Sequence, residues 1–167
     1  GLKKNSLFKD QKNVKQDSIK NFSNKIKTAK KSSISDNFLV IARIESFILG
    51  KKIDDALKRA EAYSRAGADA ILVHSKENNP SQIFSFAKQF KKSKFYKPLV
   101  AVPSSYSKTY EKDLINNGFK VVIYANQMLR ASYPAMVNVA KSILKNKRSY
   151  NIEKKISSVN EIINLIK

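Results

Sequence analysis

Short apolar, β-branched runs alternate along the chain with longer stretches whose apolar residues recur at helical spacing. Four runs have the form of buried parallel strands, apolar throughout and closed by polar residues: 38–44, 70–73, 99–102 and 121–124. Each is followed by a helical pattern. Residues 52–66 set Ile53, Ala56, Leu57, Ala60 and Tyr63 on one face, and Gly67 stands where a left-handed residue would end that helix. Asn79 and Pro80 predict an N-cap followed by proline at the first helical position, ahead of the stripe Ile83, Phe86, Ala87, Phe90. A helix over 108–117 stops at Gly118. A longer one from about Ser132, with Pro134 in its first turn, turns Met136, Val139, Ala140, Ile143 and Leu144 inward. A last short helix opens at Ser158, whose capping box is closed by Glu161, and buries Ile162, Ile163 and Ile166. A lysine-rich helix over 17–31 precedes the first strand.

Four strand–helix repeats specify an α/β fold with a parallel sheet and right-handed crossovers. Two architectures satisfy this order: a small doubly wound sheet, or half of a (β/α)8 TIM barrel made of four C-terminal βα units. Residues 1–37 hold a loop and one helix but no strand, as though they follow a strand further upstream. None of the four glycines (Gly1, Gly50, Gly67, Gly118) builds the glycine-rich phosphate loop of doubly wound nucleotide folds. Both features favour the half-barrel. The chain then reads as one segment: a loop region over 1–16, a helix and four βα units over 17–147, and a C-terminal helix over 148–167. Its inner sheet face is expected to carry Val40, Ile71, Val100 and Val122. The first residue is Gly rather than Met, as expected of a piece cut from a longer protein.

Composition narrows the function classes. At 167 residues and 42% hydrophobic, the chain has material for a packed core. With no cysteine, it has no disulfide framework, thiol nucleophile or thiolate metal site. No apolar run reaches about 18 residues and no signal-peptide pattern opens the chain, so a membrane partner is not expected and a cytoplasmic location is. The net charge of +20 would suit a polyanion-binding module, which is the alternative from another class. Lysine, however, outnumbers arginine 28 to 5, and nucleic-acid readers lean on the arginine fork. The lysines are spread along the helices, densest over residues 1–31, where ten lysines accompany two aspartates. Nucleic acid is therefore not an expected partner.

In parallel α/β folds the reactive groups collect just past the C-terminal ends of the strands. Those positions hold Arg43, Glu45 and Ser46, then His74, Ser75 and Lys76, then Ser104, Ser105 and Tyr106, then Asn126 and Gln127. A guanidinium inside an apolar strand is costly to desolvate unless it meets an anion. For Arg43 that anion is either a bound ligand, which the strand-end position favours, or Glu45 two residues on and on the same face. Glu45 is a base or, more simply, the structural mate of Arg43. His74, the sole histidine, closes a buried strand and suits a donor to a bound anion. Without a second histidine or a following aspartate, Ser–His–Asp hydrolysis is not supported. Asp54 and Asp55 sit in a helix's first turn, where the dipole favours them, and Asp69 lies at the opposite end of the sheet. No metal site is expected within this chain.

These residues carry a resemblance. Phe38-Leu-Val-Ile-Ala-Arg-Ile-Glu-Ser-Phe-Ile-Leu-Gly50, Asp55-Ala-Leu-Lys-Arg-Ala-Glu-Ala-Tyr63 and Ala66-Gly-Ala-Asp-Ala-Ile71 resemble the phosphoenolpyruvate mutase/isocitrate lyase superfamily. Val73-His-Ser-Lys76, Val102-Pro-Ser-Ser-Tyr106 and Val122-Ile-Tyr-Ala-Asn-Gln-Met-Leu-Arg-Ala-Ser132 are similar to its mutase branch, and Gly1-Leu-Lys-Lys-Asn-Ser-Leu-Phe8 to that branch's gating loop. The carbon–carbon lyases usually read Arg-Thr-Asp where this chain has Arg43-Ile44-Glu45. The resemblance implies an enzyme that isomerises phosphoenolpyruvate to 3-phosphonopyruvate, with phosphonopyruvate hydrolase as the runner-up. It further implies a homo-oligomer that exchanges its final helices and binds Mg2+. Carried over by motif, Asn5 and Ser6 would contact the phosphoryl group from the gating loop. Arg43 and His74 would clamp it, with Glu45 and Ser75 behind them. The family's nucleophilic aspartate, its Asp-x-Asp metal motif and a strand-end glutamate match nothing here. They would lie in an N-terminal half of the same barrel, without which this segment would be inert.

Overall fold

The computed structural model describes residues 15–35 and 37–166. The chain order is α1 (Ile19–Lys31), β1 (Ile41–Ile44), α2 (Ile53–Arg65), β2 (Ala70–Val73), α3 (Ser81–Phe90), β3 (Leu99–Ala101), α4 (Glu111–Asn116), β4 (Phe119–Val122), α5 (Gln127–Asn146), α6 (Tyr150–Glu153) and α7 (Val159–Asn164). The strands form one parallel sheet in the order β1-β2-β3-β4. A doubly wound sheet reverses direction at a switch point. This one never does, so it is an arc of a barrel. The half-barrel is the observed architecture.

Register assigns the two sheet faces. Arg43 pairs with Leu72, Leu72 with Val100, and Val100 with Val121. This row is the concave face, where Leu72, Val100 and Val102 form a small apolar cluster of their own. The convex face is packed by helices: Ala42, Ile44, Ile71, Val73, Leu99, Ala101 and Phe119 meet Ala56, Ala60, Tyr63, Ile83, Phe86, Phe90 and Leu114. The expected inner row is therefore corrected. Ile71 lies wholly in the helix-side core, Val40 and Val122 pack against it, and only Val100 of the four faces inward. An irregularity in the pairing at Leu99/Val100 shifts the alternation in β4, which strict periodicity does not anticipate.

Several boundaries move for local reasons. β4 begins at Phe119, two residues before the expected start, because Gly118 at φ +90° turns the chain directly into the ladder and Phe119 fills the core. β1 is shorter than expected, and its approach is held from outside: Asp69 accepts the Val40 amide at 2.7 Å, and both of its carboxylate oxygens accept from the Lys30 ammonium. Pro80 takes the cap position of α3 itself, while the Asn79 Oδ1 accepts from the Ser81 amide. The helix expected from Ser132 starts at Gln127, so Pro134 lies inside it. Ser132 is no cap, since its hydroxyl donates back to the Leu129 carbonyl. The Ser158–Glu161 capping box forms as expected.

The chain divides into two compact units, one ending at Ala125 and the other running from Asn126. The second holds α5, α6 and α7. None of the α5 side chains expected to turn inward is buried, and Ile162, Ile163 and Ile166 of the last turns are also exposed. Ile152 is the one buried side chain among described residues 126–166. Among the described residues, no helix is long and apolar enough to cross a membrane.

Candidate functional site

Strand pairing puts His74 on the same face as Arg43, one same-face position further along the neighbouring strand. Arg43 sits opposite Leu72, so His74, two residues beyond Leu72, projects from the same concave face, and its amide donates to the Ile44 carbonyl at 3.4 Å. Glu45 follows Arg43 on that face and forms an ion pair with its Nε. The structural alternative for Arg43 is thus observed: Glu45 is its carboxylate mate. The guanidinium is not desolvated as its apolar neighbours suggested, being 42% exposed.

His74 is the unusual group. It is 3% exposed, and its Nδ1 is buried with no hydrogen-bond partner among the described residues. A buried polar nitrogen left unpaired is uncommon in native folds and marks a place where a ligand atom would be accepted. Burial, and then the Arg43 charge, push the imidazole down to about 4. At neutral pH it is an uncharged ring with one N–H to give. Because the unfolded chain takes up this proton near 6.5 and the folded chain only near 4, folding is disfavoured progressively as pH falls through that window. At about 1.4 kcal/mol per pH unit, the loss should reach about 3 kcal/mol. Denaturant melts of a complete barrel between pH 7 and 4 should carry this slope, and His74→Asn should remove it. An unchanged slope would exclude His74 as its source.

The neighbouring serines turn away. Ser75 Oγ donates to Gln82 Oε1 at 2.6 Å and accepts the Glu77 amide at 3.1 Å, so it pins the loop after β2 to α3 beneath His74. Ser46, also fully buried, donates to Asp55 Oδ2 at 2.6 Å. Asn5 and Ser6 lie outside the described residues. Tyr106, past β3, is fully buried, and burial raises its phenol to about 12.

One group was missed in the sequence. Arg59, 5% exposed, gives Nε to Asp55 at 3.0 Å and one terminal nitrogen to both the Tyr63 hydroxyl and the Asp17 carbonyl, each at 2.9 Å. Burial alone would raise Asp55, but hydrogen bonds from Ser46 and Arg59 and the charges of Arg59 and Lys51 hold it below the usual carboxylate value. The signal was the four-residue spacing Asp55, Arg59, Tyr63, which stacks the three on one helix face. Among the described residues, no three acidic or histidine side chains converge as metal ligands. Asp17, Asp55 and Asp69 are each engaged by lysine or arginine. The described residues, with these three aspartates held by cations, do not assemble a Mg2+ site.

A parallel arc with a cation, a buried histidine and a carboxylate at or just past its strand ends has the layout of a βα-barrel enzyme. The chain belongs to the phosphoenolpyruvate phosphomutase family, whose model matches residues 4–144. It is 39% identical over 163 residues to the phosphoenolpyruvate phosphomutase of Tetrahymena pyriformis, covering 98% of this chain and 53% of that one. The crystal structure of phosphoenolpyruvate phosphomutase from Streptomyces platensis subsp. rosaceus superposes with a TM-score of 0.87 at 36% identity, covering 98% of this chain and 55% of that chain. A phosphonopyruvate hydrolase in complex with oxalate and Mg2+ superposes with a TM-score of 0.80 at 34% identity, covering 93% and 56%. The chain thus spans about half the length of the relatives it matches.

Proposed function

We propose that this chain is the C-terminal half of a phosphoenolpyruvate mutase and supplies the clamp for the migrating phosphoryl group. The observation that carries the proposal is the juxtaposition of Arg43 with His74, whose Nδ1 is buried and unpaired, on the concave face of a family member. The planar Arg43 fork suits a phosphoryl oxygen pair, and Glu45 fixes its orientation. A neutral His74 donates one hydrogen bond, and fixed donors of this kind stabilise charge spreading over phosphoryl oxygens. Asn5 and Ser6, outside the described residues, would add contacts to the same group, as the resemblance to the gating-loop motif implies. Mg2+ and the nucleophilic aspartate are assigned to an N-terminal half of the barrel, a reading supported by the absence of any converging acidic cluster among the described residues. The apolar side chains left exposed on α5 and α7 support a homo-oligomer in which these helices are covered by a partner copy. The substrate is small and soluble, and the working location is the cytoplasm.

The reaction exchanges a carbon–phosphorus bond for an oxygen–phosphorus bond within one molecule, so the test follows phosphorus. This chain is joined to the portion of the Tetrahymena pyriformis relative that it does not match, giving a complete barrel, and phosphonopyruvate is supplied with Mg2+. Phosphorus NMR should show the phosphonate signal converting to the phosphate ester of phosphoenolpyruvate. Inorganic phosphate with pyruvate instead would identify a phosphonopyruvate hydrolase, to which the likeness is similar in degree. No conversion by a folded barrel would sink both.

A further inference from the structure

We infer that Arg59 is a positioning residue that ties the loop behind Arg43 to the start of α1, so that the clamp and the chain leading into it are held by one guanidinium. The inference rests on the clamp reading but is carried by a separate set of contacts. On one side, Arg59 Nε and Ser46 Oγ share a single oxygen, Asp55 Oδ2, at 3.0 and 2.6 Å. Ser46 is the residue after Glu45, and its own carbonyl accepts the Lys51 amide at 2.9 Å, closing the turn that follows β1. On the other side, the Arg59 terminal nitrogen reaches 42 residues back to the Asp17 carbonyl. Asp17 immediately precedes Ser18, whose hydroxyl caps α1 by accepting the Asn21 amide.

Nothing about packing alone requires a cation here. Phe22 and Tyr63 already stack α1 on α2, with ring centroids 4.8 Å apart. A buried charged side chain costs stability unless several partners answer it, and this one has three, among them a carbonyl far outside its own helix. The fork geometry matters. Nε and a terminal nitrogen diverge at a fixed angle, so Asp55 and Asp17 are held at a set separation, which a lysine ammonium on a flexible stem does not enforce. Arg43 and Glu45 hang from the strand end that Ser46 anchors. A shift of that turn moves the guanidinium that would face the substrate, and small misplacements of positioning groups cost large factors in rate.

The experiment uses the complete barrel and two independent readouts. The first is hydrogen exchange at the amides of Leu49, Gly50 and Lys51, which bond to Glu45, Phe47 and Ser46, and at the Phe22 amide, which bonds to Ser18. Arg59→Lys should lower protection at both segments together by about tenfold. Ser46→Ala, a milder change that keeps Arg59 in place, should release only the turn after β1. The second readout is turnover. Arg59→Lys should lower kcat for phosphonopyruvate about tenfold with a smaller change in KM, and should add less than about twofold in an Arg43→Lys background, because it acts through Arg43. Exchange that changes at neither segment, or at one alone in Arg59→Lys, would overturn the tie. Equal losses in both backgrounds would reduce Arg59 to a structural role. Should Arg59→Lys fail to fold, Ser46→Ala decides by the same turn amides and by a several-fold loss of kcat. A wild-type barrel that shows the exchange behaviour but no turnover would discard the clamp reading and leave the tie standing.

Discussion

Arg43→Lys in the complete barrel should lower kcat/KM for phosphonopyruvate at least tenfold, a loss of about 1.4 kcal/mol or more in transition-state stabilisation. Lysine keeps the positive charge and reaches Glu45, so the ion pair survives in some form. What it loses is the plane. A guanidinium oriented by Glu45 keeps a fixed plane, and a migrating phosphoryl group with charge spread over three oxygens is served by that fixed direction. The same change should leave global stability nearly untouched. The pair is 42% and 30% exposed, and exposed ion pairs contribute only about 0–1 kcal/mol. A large kinetic effect without a stability effect separates ligand contact from scaffolding. Wild-type kinetics would leave Arg43 a structural role and the concave face without its clamp.

The strands and most helices were legible because their signals are local. β2 has the expected bounds, and β1 and β3 are shortened versions of theirs, since a buried parallel strand must be apolar on both faces. Gly67 and Gly118 mark turns with positive φ as their positions suggested. Arg43 and His74 were legible as strand-end residues, yet their adjacency rests on the β1–β2 register, which no single segment encodes. The inner row was misassigned for a related reason. Ile71 and Leu72 are equally apolar, and only the helix packing decides which of them turns to the convex core. Arg59 was overlooked because its neighbours Ala56, Ala60 and Tyr63 define an apolar stripe. The buried polar column is visible only when Asp55, Arg59 and Tyr63 are read together. The length of α5 was misjudged by treating Ser132 and Pro134 as a start signal, because proline is at home in a first turn and costly further in, whereas here it lies inside the helix.

Expressed alone, the 167-residue chain should fail to give a stable monomer, populating instead a molten or aggregating species or a dimer paired strand edge to strand edge. Among the described residues, β1 and β4 each pair on one side only, and each presents an open edge of backbone donors and acceptors. The concave face is thinly covered: Ile41 and Val121 are 43% and 46% exposed, and the inner apolar cluster is limited to Leu72, Val100 and Val102 with Ala70 beside it. A closed barrel would lay a second set of strands over this row and fill it in layers. Burying one such side chain is worth roughly 1.5–3 kcal/mol, while a domain's net stability is only about 5–15 kcal/mol. Two or three uncovered positions, together with an open edge on each side, are therefore enough to remove most of the margin. Size-exclusion chromatography with light scattering, joined to thermal melts at several concentrations, measures this directly. Dye binding to exposed apolar surface and a broad, concentration-dependent transition are expected, and joining the other half of the barrel should sharpen the transition. A sharp melt of a monomer at a temperature independent of concentration would mean that four βα units close their own core and need no second half.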